Sequence, residues 1–237
     1  MVFMVNDDPS VTESLAPLIH TAGWHAKAFG DARTFLSHPR ELAPSCLILD
    51  VDLPDMDGLE LQALVADRLD LPVIFITDCA DVRTIVRAMK AGAVEFLTKP
   101  FDEDVVLKAI GHAILRSRAA LVREAETRVL HERYASLSGR EQEVMAQVID
   151  GKLNKLIADD LGISEITVKA HRGKVMRKMA AASVPHLVNM AATLAATLDL
   201  DCRSSSNPTT RRGFVGRFER GAALRLDGPN LVGQAAS

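Results

Sequence analysis

Apolar residues in the first hundred positions come as short unbroken runs, separated by stretches with helical spacing. Val2-Phe3-Met4-Val5, Cys46-Leu47-Ile48-Leu49 and Val73-Ile74-Phe75-Ile76 are continuous. Such runs predict strands buried on both faces. Trp24 to Phe29 and Glu95 to Thr98 predict two weaker strands. Between the runs, apolar residues recur three or four apart and predict helices: first Val11, Leu15, Leu18 and Ile19, then Leu61, Leu64, Val65 and Leu69, then Val82, Ile85, Val86 and Met89. Asp31 predicts the N-cap of a further short helix. The alternation implies right-handed crossovers and an α/β fold with a five-stranded parallel sheet.

The pattern changes after Asp102. Up to Tyr134 there is no Pro and one Gly, and Leu107, Ile110, Ile114, Leu121, Ala125 and Val129 fall mostly three or four apart. One long helix is predicted, about 45 Å for about 30 residues. Such a helix wants a partner, in a dimer or elsewhere. Ser138-Gly139-Arg140-Glu141 has the form of a capping box. Only helical segments follow, at about 140–150, 154–161, 164–179 and 184–198, with a short turn at Leu161-Gly162-Ile163-Ser164. The Gly- and Arg-rich remainder has no periodicity. The expected organisation is an α/β domain at 1–104, a helical linker at 105–135, an all-α four-helix domain at 136–200 and a disordered tail at 201–237.

Composition narrows the class. The chain is 48% hydrophobic and 25% charged, as folded proteins are. No apolar run reaches the roughly 18 to 20 residues of a membrane span, and the N-terminus lacks the basic flank of a signal peptide. Cys46, Cys79 and Cys202 form no paired framework. A cytoplasmic protein with no membrane partner is expected. Charge divides it further. Residues 1–120 hold 11 Lys/Arg against 18 Asp/Glu, residues 121–200 hold 11 against 10, and residues 201–237 hold 6 against 3. The acidic first half suits metal or phosphate chemistry, and the second suits a polyanion.

In an open parallel sheet the reactive crevice lies beyond the carboxyl ends of the strands. Asn6, Asp7, Asp8, Asp50, Asp52, Thr77, Asp78 and Lys99 fall there. Oxygen-rich sites of this kind suit Mg²⁺, which keeps several waters and takes one or two carboxylates. Asp7 and Asp50 are the candidate direct ligands, with the main-chain carbonyl of Asp52 as a third. Asp50 is also the candidate nucleophile, since a carboxylate can form an acyl phosphate. Lys99 and the cation would offset charge on a transferring phosphoryl group, and the Thr77 hydroxyl would hydrogen-bond it.

These residues carry a resemblance. Val5-Asn6-Asp7-Asp8-Pro9-Ser10-Val11, Leu49-Asp50-Val51-Asp52-Leu53-Pro54-Asp55-Met56-Asp57-Gly58, Ile76-Thr77 and Glu95-Phe96-Leu97-Thr98-Lys99-Pro100-Phe101 resemble, in text and spacing, the receiver domain of response regulators. The resemblance implies a flavodoxin-like fold, Mg²⁺ dependence, phosphorylation of Asp50 by a sensor histidine kinase and a cis Lys99-Pro100 bond. It also implies a switch in which Thr77 and Phe96 move, after which the face at residues 81–104 dimerises. Asn6 and Asp78 depart from the family pattern. The family has an acidic residue where Asn6 stands, so Asn6 would act on the metal only through a water. A small residue is usual at Asp78.

Residues 166–180 contain Lys169, Arg172, Lys174, Arg177 and Lys178 and no acid. Val168, Val175 and Met179 mark the core side of this helix, and Ala170, Gly173 and Arg177 the opposite side, with Lys169 at its edge. Arg172 falls nearer the core and is expected to pair with an acid such as Glu141. Placed after a turn, the helix stands in the recognition position of a helix-turn-helix. Leu137-Ser138-Gly139-Arg140-Glu141, Asn154-Lys155-Leu156-Ile157-Ala158, Leu161-Gly162-Ile163-Ser164 and Thr167-Val168-Lys169-Ala170-His171-Arg172 resemble the LuxR-type helix-turn-helix of FixJ/NarL-like regulators. By position, Lys155 and Thr167 would touch phosphates, while Lys169, Ala170 and Gly173 would face the groove. His171 is expected to pack or to face a phosphate. Leu187, Met190, Leu194 and Leu198 are the candidate dimer face.

The resemblances together imply a non-enzymatic two-component regulator of transcription. Its partners would be a histidine kinase, double-stranded promoter DNA and a second copy of itself, with RNA polymerase a further candidate. Two alternatives stay open. Leu49-Asp50-Val51-Asp52 also resembles the D-x-D motif of haloacid-dehalogenase-type phosphatases, although no cap domain follows. A phosphorylation-independent DNA binder with a degenerate receiver is the other.

Overall fold

The computed structural model describes residues 1–78 and 81–204, with helix backbone alone from residue 198. Cys79 and nearly all of the tail expected at 201–237 lie outside the described residues. The three apolar runs become β1 (Val2–Val5), β3 (Cys46–Asp50) and β4 (Val73–Thr77), each buried along its whole length. The weaker β2 (Ala26–Phe29) and β5 (Glu95–Thr98) form the edges. All pairings are parallel, in the order β2-β1-β3-β4-β5.

Alternate side chains of each strand enter opposite faces. Val2, Met4, Ile48, Ile74 and Ile76 pack under α1 (Pro9–Thr21) and the first half of α5 (Glu103–Ala135). Phe3, Val5, Leu47, Leu49 and Phe75 pack under α2 (Ala32–Ser37), α3 (Gly58–Leu64) and α4 (Val82–Lys90). Asp31 caps α2 as expected, its side chain accepting the Thr34 N–H at 2.7 Å. The Lys99-Pro100 bond is cis.

Several boundaries differ from the sequence reading. Trp24 precedes β2 and packs against the α1–α5 core instead. α3 stops at Leu64, and Leu64 and Leu69 are exposed. On α4 Val82, Val86 and Met89 are exposed, and Ala88 is the buried contact. Residues 105–135 are not simply a linker. Val106, Ala109, Ile110, Ala113 and Ile114 are sheet-packed core. Ser117 Oγ, fully buried, donates to the Asp70 carbonyl and accepts the Ser45 N–H at 2.9 Å. Helical periodicity reveals an apolar stripe without revealing what covers it.

The described residues divide into two compact units, 1–124 and from 125 onward. The second holds α6 (Gly139–Ile149), α7 (Asn154–Leu161), α8 (Glu165–Met179) and α9 (Val184–Ser204). Val144, Met145, Val148, Ile157, Val168, Val175 and Met179 form its core. Leu187 and Leu194, expected at a dimer face, are 0% and 1% exposed in that core. The Leu198 side chain lies outside the described residues. Gly162 ends α7 with φ 64°, a left-handed conformation that glycine adopts without a Cβ clash.

The capping box forms in full. Ser138 N–H donates to Glu141 Oε2 at 2.9 Å, and Glu141 N–H to Ser138 Oγ at 3.3 Å. Lys178 Nζ reaches the same buried carboxylate at 2.6 Å. The Lys178 hydrogen bond, then that of the Ser138 N–H, holds the Glu141 carboxyl below its ordinary value of 4.5. A depressed folded pKa stabilises above the unfolded value, and that stability is lost as pH falls through the folded one. The helical unit should therefore lose stability on acidification below pH 4.5. Glu141→Gln should flatten that acid limb and cost about 2 kcal/mol at neutral pH. Thermal unfolding against pH checks both.

Candidate functional site

Register builds the first site. Val5 pairs with Leu49, Asp50 with Ile76, and Thr77 with Thr98. The carboxyl ends of the strands are therefore nearly level. Asp50 ends β3 and Thr77 ends β4, at 5% and 1% exposure. Asn6, directly after β1, is 7% exposed. Its Nδ2 donates to Asp50 Oδ2 at 2.7 Å, and its Oδ1 accepts the Asp8 N–H at 2.6 Å. Asp52 N–H donates to Asp50 Oδ1 at 3.2 Å. The Lys99 N–H donates to the Thr77 carbonyl at 2.8 Å, which sets Lys99 beside β4. Its ammonium lies 3.6 Å from Asp50 Oδ2 and 2.9 Å from Asp78 Oδ2.

Charge follows from this packing. Burial pushes the Asp50 carboxyl up, against the Asp52 N–H and the Lys99 charge, which pull it down. Burial would lower the Lys99 ammonium, but the Asp78 hydrogen bond and the charges of Asp50 and Asp78 carry it above its ordinary value. Asp8 caps α1 by accepting the Ser10 N–H at 2.9 Å, and hydrogen bonds from Ser10 keep its carboxyl low. Asp7 and Asp52 are exposed. Phe96 is half-buried and stacks on Phe75, ring centroids 5.6 Å apart.

Among the described residues, no three His, Cys, Asp or Glu residues gather as a metal site. The candidate donors are two carboxylates, Asp7 and Asp50, and the Asp52 carbonyl. This sparse all-oxygen set fits Mg²⁺, which is typically held by one or two carboxylates and retains water. A cation would also offset the cost of burying the Asp50 charge.

Gly58 belongs to the site and escaped the residue-by-residue reading. A Cβ on it would overlap the Asp50 carbonyl oxygen and lie 3.0 Å from Val51 Cα. Its N–H donates to the Val51 carbonyl at 2.8 Å, closing the loop that carries Asp52. Its signals in the sequence were the Asp-Gly pair before a helix and its place at the end of the Leu49–Gly58 text that resembles a receiver domain.

The second site is the exposed side of α8. Val168, Val175 and Met179 are buried, while Lys169, Ala170, Gly173, Lys174 and Arg177 are exposed. Lys155 is exposed on α7. Thr167 is half-buried, its N–H donating to the α8 cap Ser164 at 3.1 Å. His171 is half-buried. Lys169 lies 3.4 Å from Glu165, one turn back. Arg172 does not pair with Glu141. It donates to Asn154 Oδ1 at 3.0 Å, tying α8 to the start of α7, and Lys178 takes Glu141. Both partners were visible in the sequence, but side-chain direction decides between them.

A Cβ at Gly173 would meet nothing within 4 Å. Glycine within a helix costs about 1 kcal/mol against alanine. Gly173→Ala should therefore stabilise the helical unit by about that amount, as measured by denaturant unfolding.

A parallel sheet of this order, with a buried aspartate and a lysine at its carboxyl edge and a separate helix-turn-helix unit, defines a response regulator with a DNA-binding output. The comparisons agree. The response regulator receiver domain matches residues 2–111, and the luxR family of bacterial regulatory proteins matches residues 135–191. Nodulation protein W of Bradyrhizobium diazoefficiens is 45% identical over 197 residues, covering 82% of this chain and 86% of that one. The transcriptional regulatory protein FixJ of Rhizobium meliloti is 40% identical over 191 residues, covering 80% and 94%. The solved response regulator StyR is similar at a TM-score of 0.70 and 43% identity, over 81% of this chain and 97% of that one. The chain belongs to the two-component response regulators that join a receiver domain to a LuxR-type DNA-binding domain. Among the described residues, no single helix is long and apolar enough to cross a membrane.

Proposed function

We propose that this protein regulates transcription through phosphorylation of Asp50. The observation that carries this is the Lys99 ammonium 3.6 Å from a buried Asp50 carboxylate at the carboxyl edge of the sheet. An Asp50 oxygen attacks the phosphorus of a phosphohistidine on a sensor kinase, the P–N bond breaks, and an acyl phosphate forms. Lys99 holds one phosphoryl oxygen, and the Thr77 hydroxyl turns to donate to another. Asp7, Asp50 and the Asp52 carbonyl would hold Mg²⁺, which supplies charge neutralisation at the transferring group. Asn6, with Oδ1 on the Asp8 N–H and Nδ2 on Asp50, orients the nucleophile without adding charge.

Movement of Thr77 draws Phe96 along the Phe75 ring and reshapes the α4–β5 face, where Val82, Val86 and Met89 are exposed. Dimerisation of that face brings two helix-turn-helix units to paired half-sites. Lys155 and Thr167 contact phosphates, and Lys169, Ala170 and Gly173 enter the major groove. RNA polymerase is then a partner at the promoter.

The test treats wild type and Asp50→Asn with acetyl phosphate and Mg²⁺, and reads phosphoryl uptake, mass in solution and DNA affinity. Wild type alone should take up phosphoryl, dimerise and bind promoter DNA more tightly. No uptake at Asp50 overturns the proposal. Uptake without a change in DNA affinity favours a DNA binder independent of its receiver, a reading to which the uncharged Asn6 lends weight.

A further inference from the structure

We propose that Asp78 is an electrostatic brake on phosphoryl transfer to Asp50, acting by drawing off Lys99 and by repelling the anionic donor. The proposal rests on Asp50 being the phospho-acceptor. One cation stands between two carboxylates, and the nearer is not the nucleophile: Lys99 Nζ lies 2.9 Å from Asp78 Oδ2 and 3.6 Å from Asp50 Oδ2. The Lys99 side chain is 14% exposed and that of Asp78 is 78% exposed. The ammonium therefore sits inside the crevice while the competing carboxylate stands at its mouth.

Two effects follow, with the same sign. To meet a phosphoryl oxygen, Lys99 must give up its hydrogen bond to Asp78. Any phosphodonor that approaches from solvent must also pass an uncompensated negative charge, because one lysine cannot neutralise both Asp50 and Asp78. Asn6 donates a hydrogen bond to Asp50 but brings no positive charge. Since Asp78 is exposed, its repulsion of the donor is carried through solvent and is screened by salt. Asp78 is thus a positioning residue that acts through Lys99. It holds the receiver low in reactivity until a donor is presented at close range.

The experiment uses the full-length protein, with acetyl phosphate as donor and Mg²⁺ present. Asp78→Asn, which keeps shape and removes charge, should speed phosphoryl uptake at Asp50 about tenfold at low ionic strength. The gap from wild type should narrow as salt is added. Asp78→Glu should return the rate toward wild type. Beryllofluoride, an anionic mimic of the phosphoryl group, should bind Asp78→Asn more tightly by calorimetry. Equal uptake by wild type and Asp78→Asn, both labelled at Asp50, overturns the brake and leaves Asp50 as the acceptor. A faster rate that ignores salt and is not reversed in Asp78→Glu marks a structural effect and also overturns it. No label at Asp50 in any of the proteins overturns the acceptor assignment and the brake with it.

Discussion

Gly58→Ala is expected to destabilise the sheet-bearing unit by about 3 kcal/mol and to abolish phosphoryl uptake at Asp50. The sign is not obvious in advance. Gly58 opens α3, where alanine removes unfolded-state freedom and would ordinarily stabilise by about 0.4 to 1 kcal/mol. Space decides against it. The new methyl would overlap the Asp50 carbonyl oxygen and press on Val51 Cα, both of them backbone. Backbone atoms of a central strand cannot rotate away, so either β3 shifts at its end or the start of α3 lifts. Both outcomes displace the Asp50 carboxylate and the Asp52 N–H that it accepts. Gly173→Ala is the internal control: the same change where a Cβ meets nothing stabilises. Urea unfolding of the two variants should show opposite displacements from wild type. A Gly58→Ala protein as stable as wild type would mean that this loop yields more easily than a packed strand end should.

Asn6→Asp is expected to cost about 3 kcal/mol at neutral pH without divalent cation. It removes the amide that donates to Asp50 at 2.7 Å and puts a second carboxylate in its place, at a position 7% exposed. Two carboxylates in contact cannot both ionise cheaply, so the pair binds a proton more tightly folded than unfolded. A raised folded pKa gives stability that is present at low pH and lost as pH rises through that value. The deficit should therefore shrink on acidification. Mg²⁺ should restore stability at neutral pH, because binding to the folded state alone adds to it. Asn6→Ala loses the hydrogen bonds without adding charge, so acid and Mg²⁺ should each recover less of its deficit than they recover for Asn6→Asp. Thermal unfolding of the three proteins with EDTA and with Mg²⁺ is the measurement. Equal Mg²⁺ stabilisation of wild type and Asn6→Asp would show that the missing charge at position 6 does not limit the metal.

Much of this architecture could be read along the chain. Cys46-Leu47-Ile48-Leu49 is apolar at every position, which suits a strand covered on both faces, and Asp50 marks where that cover ends. Ser138 and Glu141 announced the start of α6 because a capping box is local, made by residues three apart. Gly162 closed α7 for an equally local reason. Leu187 and Leu194 were legible as an apolar stripe on α9, yet their assignment to a dimer face was wrong: the stripe packs inside its own unit. The reverse held on α4, where Val82, Val86 and Met89 are spaced like core residues and are exposed. The first half of α5 likewise looked like a connection and is core. Spacing along a helix is the same whether the stripe meets the sheet, a partner or water.

By itself the sequence determined the element order, the parallel α/β class, the helical second unit, and the gathering of Asn6, Asp50, Thr77 and Lys99 at one sheet edge. These depend on periodicity, local capping and the strand-end rule, all short in range. Tertiary structure alone decided that Asn6 donates directly to Asp50, that Lys99 lies closer to Asp78, that Arg172 joins Asn154 and that Gly58 leaves no room for a methyl. Each of these is a choice among polar partners or a close backbone approach, set by register and side-chain direction between segments far apart in the chain.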